Sequence, residues 1–129
     1  MPRLLRDAPL NGIWEGSGNV IALDVLRALG REPAGREAFL AECELARGGH
    51  ARLDAHLDAL PSRIDPWGAR RAVEELALAL QASLLVRFAP PFVADAFCAS
   101  RLGAGGRVYG TLPAGLDGPA LVARALEID

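Results

Sequence analysis

Asn11-Gly12-Ile13-Trp14-Glu15-Gly16-Ser17-Gly18-Asn19-Val20-Ile21-Ala22-Leu23-Asp24-Val25-Leu26-Arg27-Ala28-Leu29 carries both the fold and the chemistry of this chain. Its second half, Val20 to Leu29, is apolar with Asp24 and Arg27 as the only charges. A run of this kind predicts a helix enclosed by other elements on most sides, ended by Gly30. The first half sets one carboxylate, Glu15, between a bulky aromatic and glycines. Glycine takes positive φ readily, so such a loop can bend sharply and bring its backbone close to a ligand. A helix that follows leaves its first N–H groups unpaired, with partial positive charge at that end, which favours an anionic group nearby. Glu15 is therefore a candidate base, Trp14 a flat apolar wall or a plain core aromatic, and Ser17 or Asn19 a candidate N-cap.

Outward from this stretch the pattern stays helical. Phe39, Leu40, Cys43 and Ala46 fall at i, i+1, i+4 and i+7, one face of an amphipathic helix that Gly48-Gly49 stop. Leu53, Leu57 and Leu60 mark a shorter helix closed by Pro61. Asp65-Pro66, an N-cap followed by proline at the first helical position, opens the longest helix, expected to run to about Phe88. Its stripe of Ala69, Val73, Leu76, Ala77, Leu80 and Leu84 is expected to face a core. Pro90-Pro91 interrupt, Phe92, Val93, Ala96 and Phe97 begin a helix ending near Gly103, and Asp117 caps a last helix bearing Leu121, Val122, Ala125 and Leu126. Arg6 to Gly12 reads as a Pro-bearing loop, and Arg107 to Leu112 is the only candidate strand. The fold class expected is all-α, an antiparallel bundle of about five to six helices.

The chain has 129 residues, enough for one domain that buries roughly two thirds of its unfolded surface. It divides into a motif loop at 1–19, main helices at 20–103, and a glycine-rich connection with a terminal helix at 104–129. The formal net charge of -2 gives no bulk attraction to nucleic acid or an anionic membrane. All 14 basic residues are arginines, a mark of GC-rich coding, so single arginines are not read as functional choices. Cys43 and Cys98 are expected to be buried free thiols in a reducing cytoplasm. His50 and His56 lie six apart, off any shared helical face, and no metal site is expected. Residues 1–10 lack the apolar core of a signal peptide, and no uncharged run reaches the ~18 residues of a membrane span.

Arg6 to Leu29, with Ile13-Trp14-Glu15-Gly16-Ser17-Gly18-Asn19 at its centre, resembles the C-terminal catalytic segment of flavin-dependent acyl-CoA dehydrogenases, closest to the AidB-like (DNA alkylation response) branch. Ala94-Asp95-Ala96-Phe97-Cys98 to Arg101, and Tyr109-Gly110-Thr111-Leu112-Pro113 to Leu116-Asp117, also look like that branch, so the resemblance covers nearly the whole chain.

The resemblance implies that Glu15 takes the α proton of a fatty acyl thioester while the β hydrogen leaves as hydride to FAD. A dry pocket, to which Trp14 would contribute, makes a carboxylate a stronger base. It further implies that Trp14, Gly16, Ser17 and Asn19 lie along the flavin and that Arg27, twelve residues after Glu15, projects into the substrate pocket. Without the resemblance, Arg27 reads as an i, i+3 partner of Asp24 worth a few tenths of a kcal/mol. In this family the remaining walls come from a preceding helical domain and a middle β domain. The chain is accordingly expected to be a C-terminal fragment that neither holds FAD tightly nor turns over a thioester alone. Two other readings stand beside it: a helical module for homo-oligomer assembly, and a nucleic-acid-binding domain. The second has weak support, since acids outnumber bases and only Arg70-Arg71 are adjacent.

Overall fold

A computed structural model describes residues 2–12, 18–64, 68–103 and 112–126. Among them are seven α-helices and no strand: α1 (Pro2–Asp7), α2 (Gly18–Arg31), α3 (Pro33–Glu44), α4 (Ala51–Arg63), α5 (Ala69–Phe88), α6 (Pro91–Phe97) and α7 (Gly118–Leu126). A 3-10 turn, Ala8–Gly12, follows α1, and a π-helical turn, Cys98–Leu102, prolongs α6 toward Gly103. The all-α helix bundle expected from periodicity is thus the fold. Asp65-Pro66, the start expected for the longest helix, and most of the candidate strand lie outside the described residues.

α5 is the axis, with α2, α3, α4 and α6 all packed against it. The residues it buries are Ala72, Glu75, Leu76, Leu78, Ala79, Ala82 and Ser83. Only Leu76 of the expected stripe is fully buried, while Ala77 and Leu84 face solvent. The correction has a steric cause. A helix contacted on several sides needs small residues where neighbouring backbones approach, and alanine and serine supply them better than leucine. Around this axis Cys43, Ala46, Leu53, Leu57, Leu60, Leu76, Ala79, Ala82 and Cys98 form the core, with Phe39, Leu40 and Phe97 packed on it. The predicted face of α3 is therefore the one buried.

Local chemistry moves several boundaries. α2 passes through Gly30 and stops at Arg31, because Pro33 pushes Glu32 out of helical geometry to φ -120 and ψ 76 and itself opens α3. α4 likewise continues through Pro61 to Arg63. Proline inside a helix removes one hydrogen bond, at about 3 kcal/mol, whereas buried Leu53, Leu57 and Leu60 contribute about 1.5–3 kcal/mol each. Burial wins. Arg6 to Gly12, expected as a Pro-bearing loop, is instead the end of α1 and the 3-10 turn Ala8–Gly12, and α1 carries an exposed Arg3–Asp7 pair at 3.6 Å.

Between α3 and α4 the chain reverses at Gly48, whose φ of +82 suits glycine, and its N–H donates to Asp54 Oδ1 at 3.0 Å. Gly49 comes so close to α5 that an added Cβ would stand 2.5 Å from Val86 Cγ1. Arg47 ties the turn together, pairing with Glu44 and with Asp58 Oδ1 at 3.0 Å, and its hydrogen bond holds the Glu44 carboxyl below the usual range. His50 caps α4 by accepting the Arg52 N–H at Nδ1, 3.1 Å away. At the far end Asp117 accepts the Ala120 N–H at 3.0 Å, which is the expected cap of α7.

Cys43 and Cys98 are free and fully buried. Burial first, then Glu42 and Glu44 for Cys43 and Asp95 for Cys98, pushes each thiol from 9.0 up to about 11. The unfolded chain therefore sheds these protons first as pH rises. Each thiol's contribution to stability is complete below about 9 and disappears as pH climbs through about 11. Denaturation midpoints on either side of that window are expected to fall at the alkaline end, and replacing both cysteines by alanine is expected to flatten the profile there. In neutral solution a thiol reagent is expected to label the native chain only as fast as it opens.

Candidate functional site

Trp14, Glu15, Gly16 and Ser17 lie outside the described residues, so the site is built from the helix that follows them. Val20, Leu23, Asp24 and Arg27 stand at i, i+3, i+4 and i+7, one stripe along α2. That stripe is open to solvent: Val20 is 58% and Leu23 52% exposed, and Asp24 and Arg27 are exposed beside them. The expectation that α2 is enclosed on most sides is corrected, for Ala22 is its one buried residue. Contact with α5 and α3 covers other sides of the helix and leaves this stripe bare.

Arg27 donates from Nη1 to Asp24 Oδ1 at 2.8 Å. Both side chains are mostly exposed, so the pair itself contributes only a few tenths of a kcal/mol. Its consequence is positional: the guanidinium is held over the stripe that begins just after the motif. Asn19 lies inside the first turn of α2 and is exposed, so it does not serve as the N-cap. The alternative cap, Ser17, lies outside the described residues.

One neighbour of the motif escaped the sequence reading. The Arg70 guanidinium of α5 packs against Gly18, where an added Cβ would stand 3.6 Å from Nη2 and 3.8 Å from Cζ. Arg70 was legible only as half of the Arg70-Arg71 pair, because nothing in a linear pattern says which helix end it meets. Among the described residues, Arg70 of α5 thus brings positive charge to the start of α2, and the Asp24–Arg27 pair lies further along it.

A second polar feature sits deep between α4 and α5. His56 is 5% and Glu75 1% exposed. The imidazole meets the Glu75 carbonyl oxygen through Nε2 at 3.0 Å and the Glu75 carboxyl Oε2 through Nδ1 at 3.5 Å. Arg71, on the surface, approaches Oε1 at 3.9 Å. His50 is committed elsewhere, to the α4 cap and to Asp95 at 3.6 Å. Among the described residues no group of three or more His, Cys, Asp or Glu side chains is arranged to hold a metal, and no helix is long and apolar enough to cross a membrane.

An all-α helix bundle is the kind of domain the resemblance implies, and comparison with known proteins agrees. The chain is a sequence relative of an acyl-CoA dehydrogenase-like protein, the "Putative acyl-CoA dehydrogenase AidB" of Escherichia coli (strain K12), with 35% identity over 106 residues. That similarity takes in 76% of this chain and 19% of the E. coli protein, so the chain spans about a fifth of its relative's length. No family model and no solved structure matches.

Proposed function

We propose that this chain is the helical domain of an FAD-dependent acyl-CoA dehydrogenase-like oxidoreductase, a C-terminal part of a longer flavoenzyme, and that Glu15 is its base. The observation that carries the reading is the bare stripe of α2, with Val20, Leu23 and Arg27 following directly on a motif similar to that of the dehydrogenases. Val20 and Leu23 adjoin Ile21, itself 39% exposed, and a contiguous exposed apolar patch of this kind marks a ligand-binding or interaction surface. A flavin edge, an acyl thioester and the wall of a preceding domain would cover these.

The described residues fit such a group. Arg70 supplies positive charge beside Gly18, suited to an anionic part of a cofactor, while Val20 and Leu23 offer apolar contact. Trp14, Gly16, Ser17 and Asn19 would complete the flavin side, and Arg27 would border the substrate. FAD, when bound, supplies the two-electron acceptor that takes the β hydrogen as hydride. Glu15 accepts the α proton, and the electron pair of that C–H bond becomes the new α,β double bond. Trp14 keeps water from the carboxylate and so strengthens it as a base. The free thiols Cys43 and Cys98 suit a reducing cytoplasm.

Anaerobic mixing of the complete gene product with acyl-CoA thioesters of short, medium and long chain tests the reading. The visible flavin absorbance is expected to bleach with at least one of them. A flavin-loaded protein that none of them bleaches refutes the dehydrogenase assignment. The assembly reading has its own support in Leu84 and Phe88, exposed at i and i+4 near the end of α5, and in Phe92 just beyond. It predicts that the chain sediments as a homo-oligomer.

A further inference from the structure

α2 and α3 enclose a cleft of about 290 Å³. Val25, Ala28 and Leu29 of α2 and Phe39 of α3 form its apolar walls. Leu29 and Phe39 also pack against the core, so the bundle itself holds them in place. The positions involved put this cleft on a different face of α2 from the stripe of Val20, Leu23 and Arg27. Among the described residues two charged side chains border it, Glu32 and Arg36, of opposite sign and four residues apart. Within a helix that spacing lets such a pair meet. Here it does not, because Glu32 precedes α3 with φ -120 and ψ 76, and neither side chain makes a hydrogen bond or ion pair among the described residues. The Glu32 carboxyl lies instead over Gly35, with Oε2 3.9 Å from where a Cβ there would stand, and it does not cap α3.

We infer that the α2–α3 cleft binds a free α-amino acid with an apolar side chain, of the size of leucine or phenylalanine. The side chain lies between the two helices, the ammonium faces Glu32 and the carboxylate faces Arg36. Charge complementarity selects this ligand. An apolar carboxylate would meet Glu32, an apolar amine would meet Arg36, and an uncharged molecule would take water from both without replacing it. A zwitterion satisfies the two together, and a guanidinium can grip a carboxylate through two parallel hydrogen bonds. Size agrees. The volume falls just below the ~300–1,000 Å³ of pockets for drug-sized molecules, and an apolar cavity with a few placed polar groups at its mouth is the usual form of a small-ligand site. The inference needs neither flavin nor Glu15, so it stands or falls apart from the dehydrogenase reading.

Titration of the 129-residue chain with free leucine and with free phenylalanine, read by the NMR signals of Val25, Ala28, Leu29 and Phe39, tests this. At least one of the two is expected to shift those signals saturably. Isocaproate, which is leucine without its ammonium, and isopentylamine, which is leucine without its carboxylate, are each expected to bind at least about 10-fold more weakly, the usual cost of losing one charge-assisted contact. Arg36→Gln should weaken leucine by a similar factor and leave isopentylamine no weaker. Glu32→Gln should weaken leucine and tighten isocaproate. Both side chains are exposed, so helical circular dichroism should stay unchanged in either variant. Absence of a saturable shift with both amino acids up to their solubility overturns the inference, as do shifts confined to other residues. Isocaproate or isopentylamine binding as tightly as leucine, or variants that change all three ligands alike, would show a cleft blind to charge and overturn it equally.

Discussion

Replacing Glu15 by glutamine in the flavin-loaded gene product is expected to slow flavin reduction by acyl thioesters by about 10²–10⁴-fold, the usual contribution of a placed general base. Glutamine keeps the size and polarity of the side chain and loses only its capacity to accept a proton, so flavin content is expected to stay at the wild-type level. Aspartate should fall in between. It keeps the carboxylate but withdraws it by about 1 Å, and a displacement of that size can cost on the order of 10²-fold. Rapid-mixing spectra under anaerobic conditions read the rate, and the protein-to-flavin absorbance ratio reads the content. Wild-type rates in the glutamine variant would remove Glu15 as the base. Loss of flavin in both variants would instead make it a holding residue.

Glu75→Ala is expected to destabilise the chain by roughly 3 kcal/mol, measured by urea denaturation. Glu75 and His56 lie in the interface of α4 with α5, where the carboxyl oxygen stands 3.5 Å from Nδ1. Truncation strips that nitrogen of its carboxyl partner where water cannot easily replace it, and it leaves a void besides. Glu75→Gln preserves the shape and a polar partner and should lose less. Replacing both residues by leucine removes the polar groups together, so the double variant should be more stable than Glu75→Ala alone. Equal losses for alanine and glutamine would show that charge matters more than packing in this pair. No loss for alanine would mean that the interface relaxes around it.

The buried pair also marks where sequence reading reached its limit. His56 was legible only as a histidine with no metal partner at a helical spacing, because Glu75 is nineteen residues away on another helix. Arg70 is a similar case, an ordinary surface arginine until α5 is laid against the first turn of α2. By contrast, the buried face of α3, the Asp117 cap and the burial of both thiols were readable, since each depends on neighbours in the chain or on a strong local preference. The motif around Glu15 was also readable, as a resemblance, and similarity to the E. coli protein supports that relationship without testing the roles of its residues.

By itself the sequence determined that the fold is all-α, roughly where the helices break, and to which proteins the chain is related. Hydrophobic spacing, proline and capping residues act over a few positions, so a linear reading captures them. Only the tertiary structure decided which apolar faces are covered. Of the stripe expected on α5, Leu76 is buried while Ala77 and Leu84 face solvent, and Ala72, Ala79, Ala82 and Ser83 fill much of the buried face, because helices that pack on several sides of an axis need close approach. α2, expected to be enclosed, keeps Val20 and Leu23 bare. Periodicity reports that a face is apolar; whether a partner lies against it depends on contacts between residues far apart in the chain.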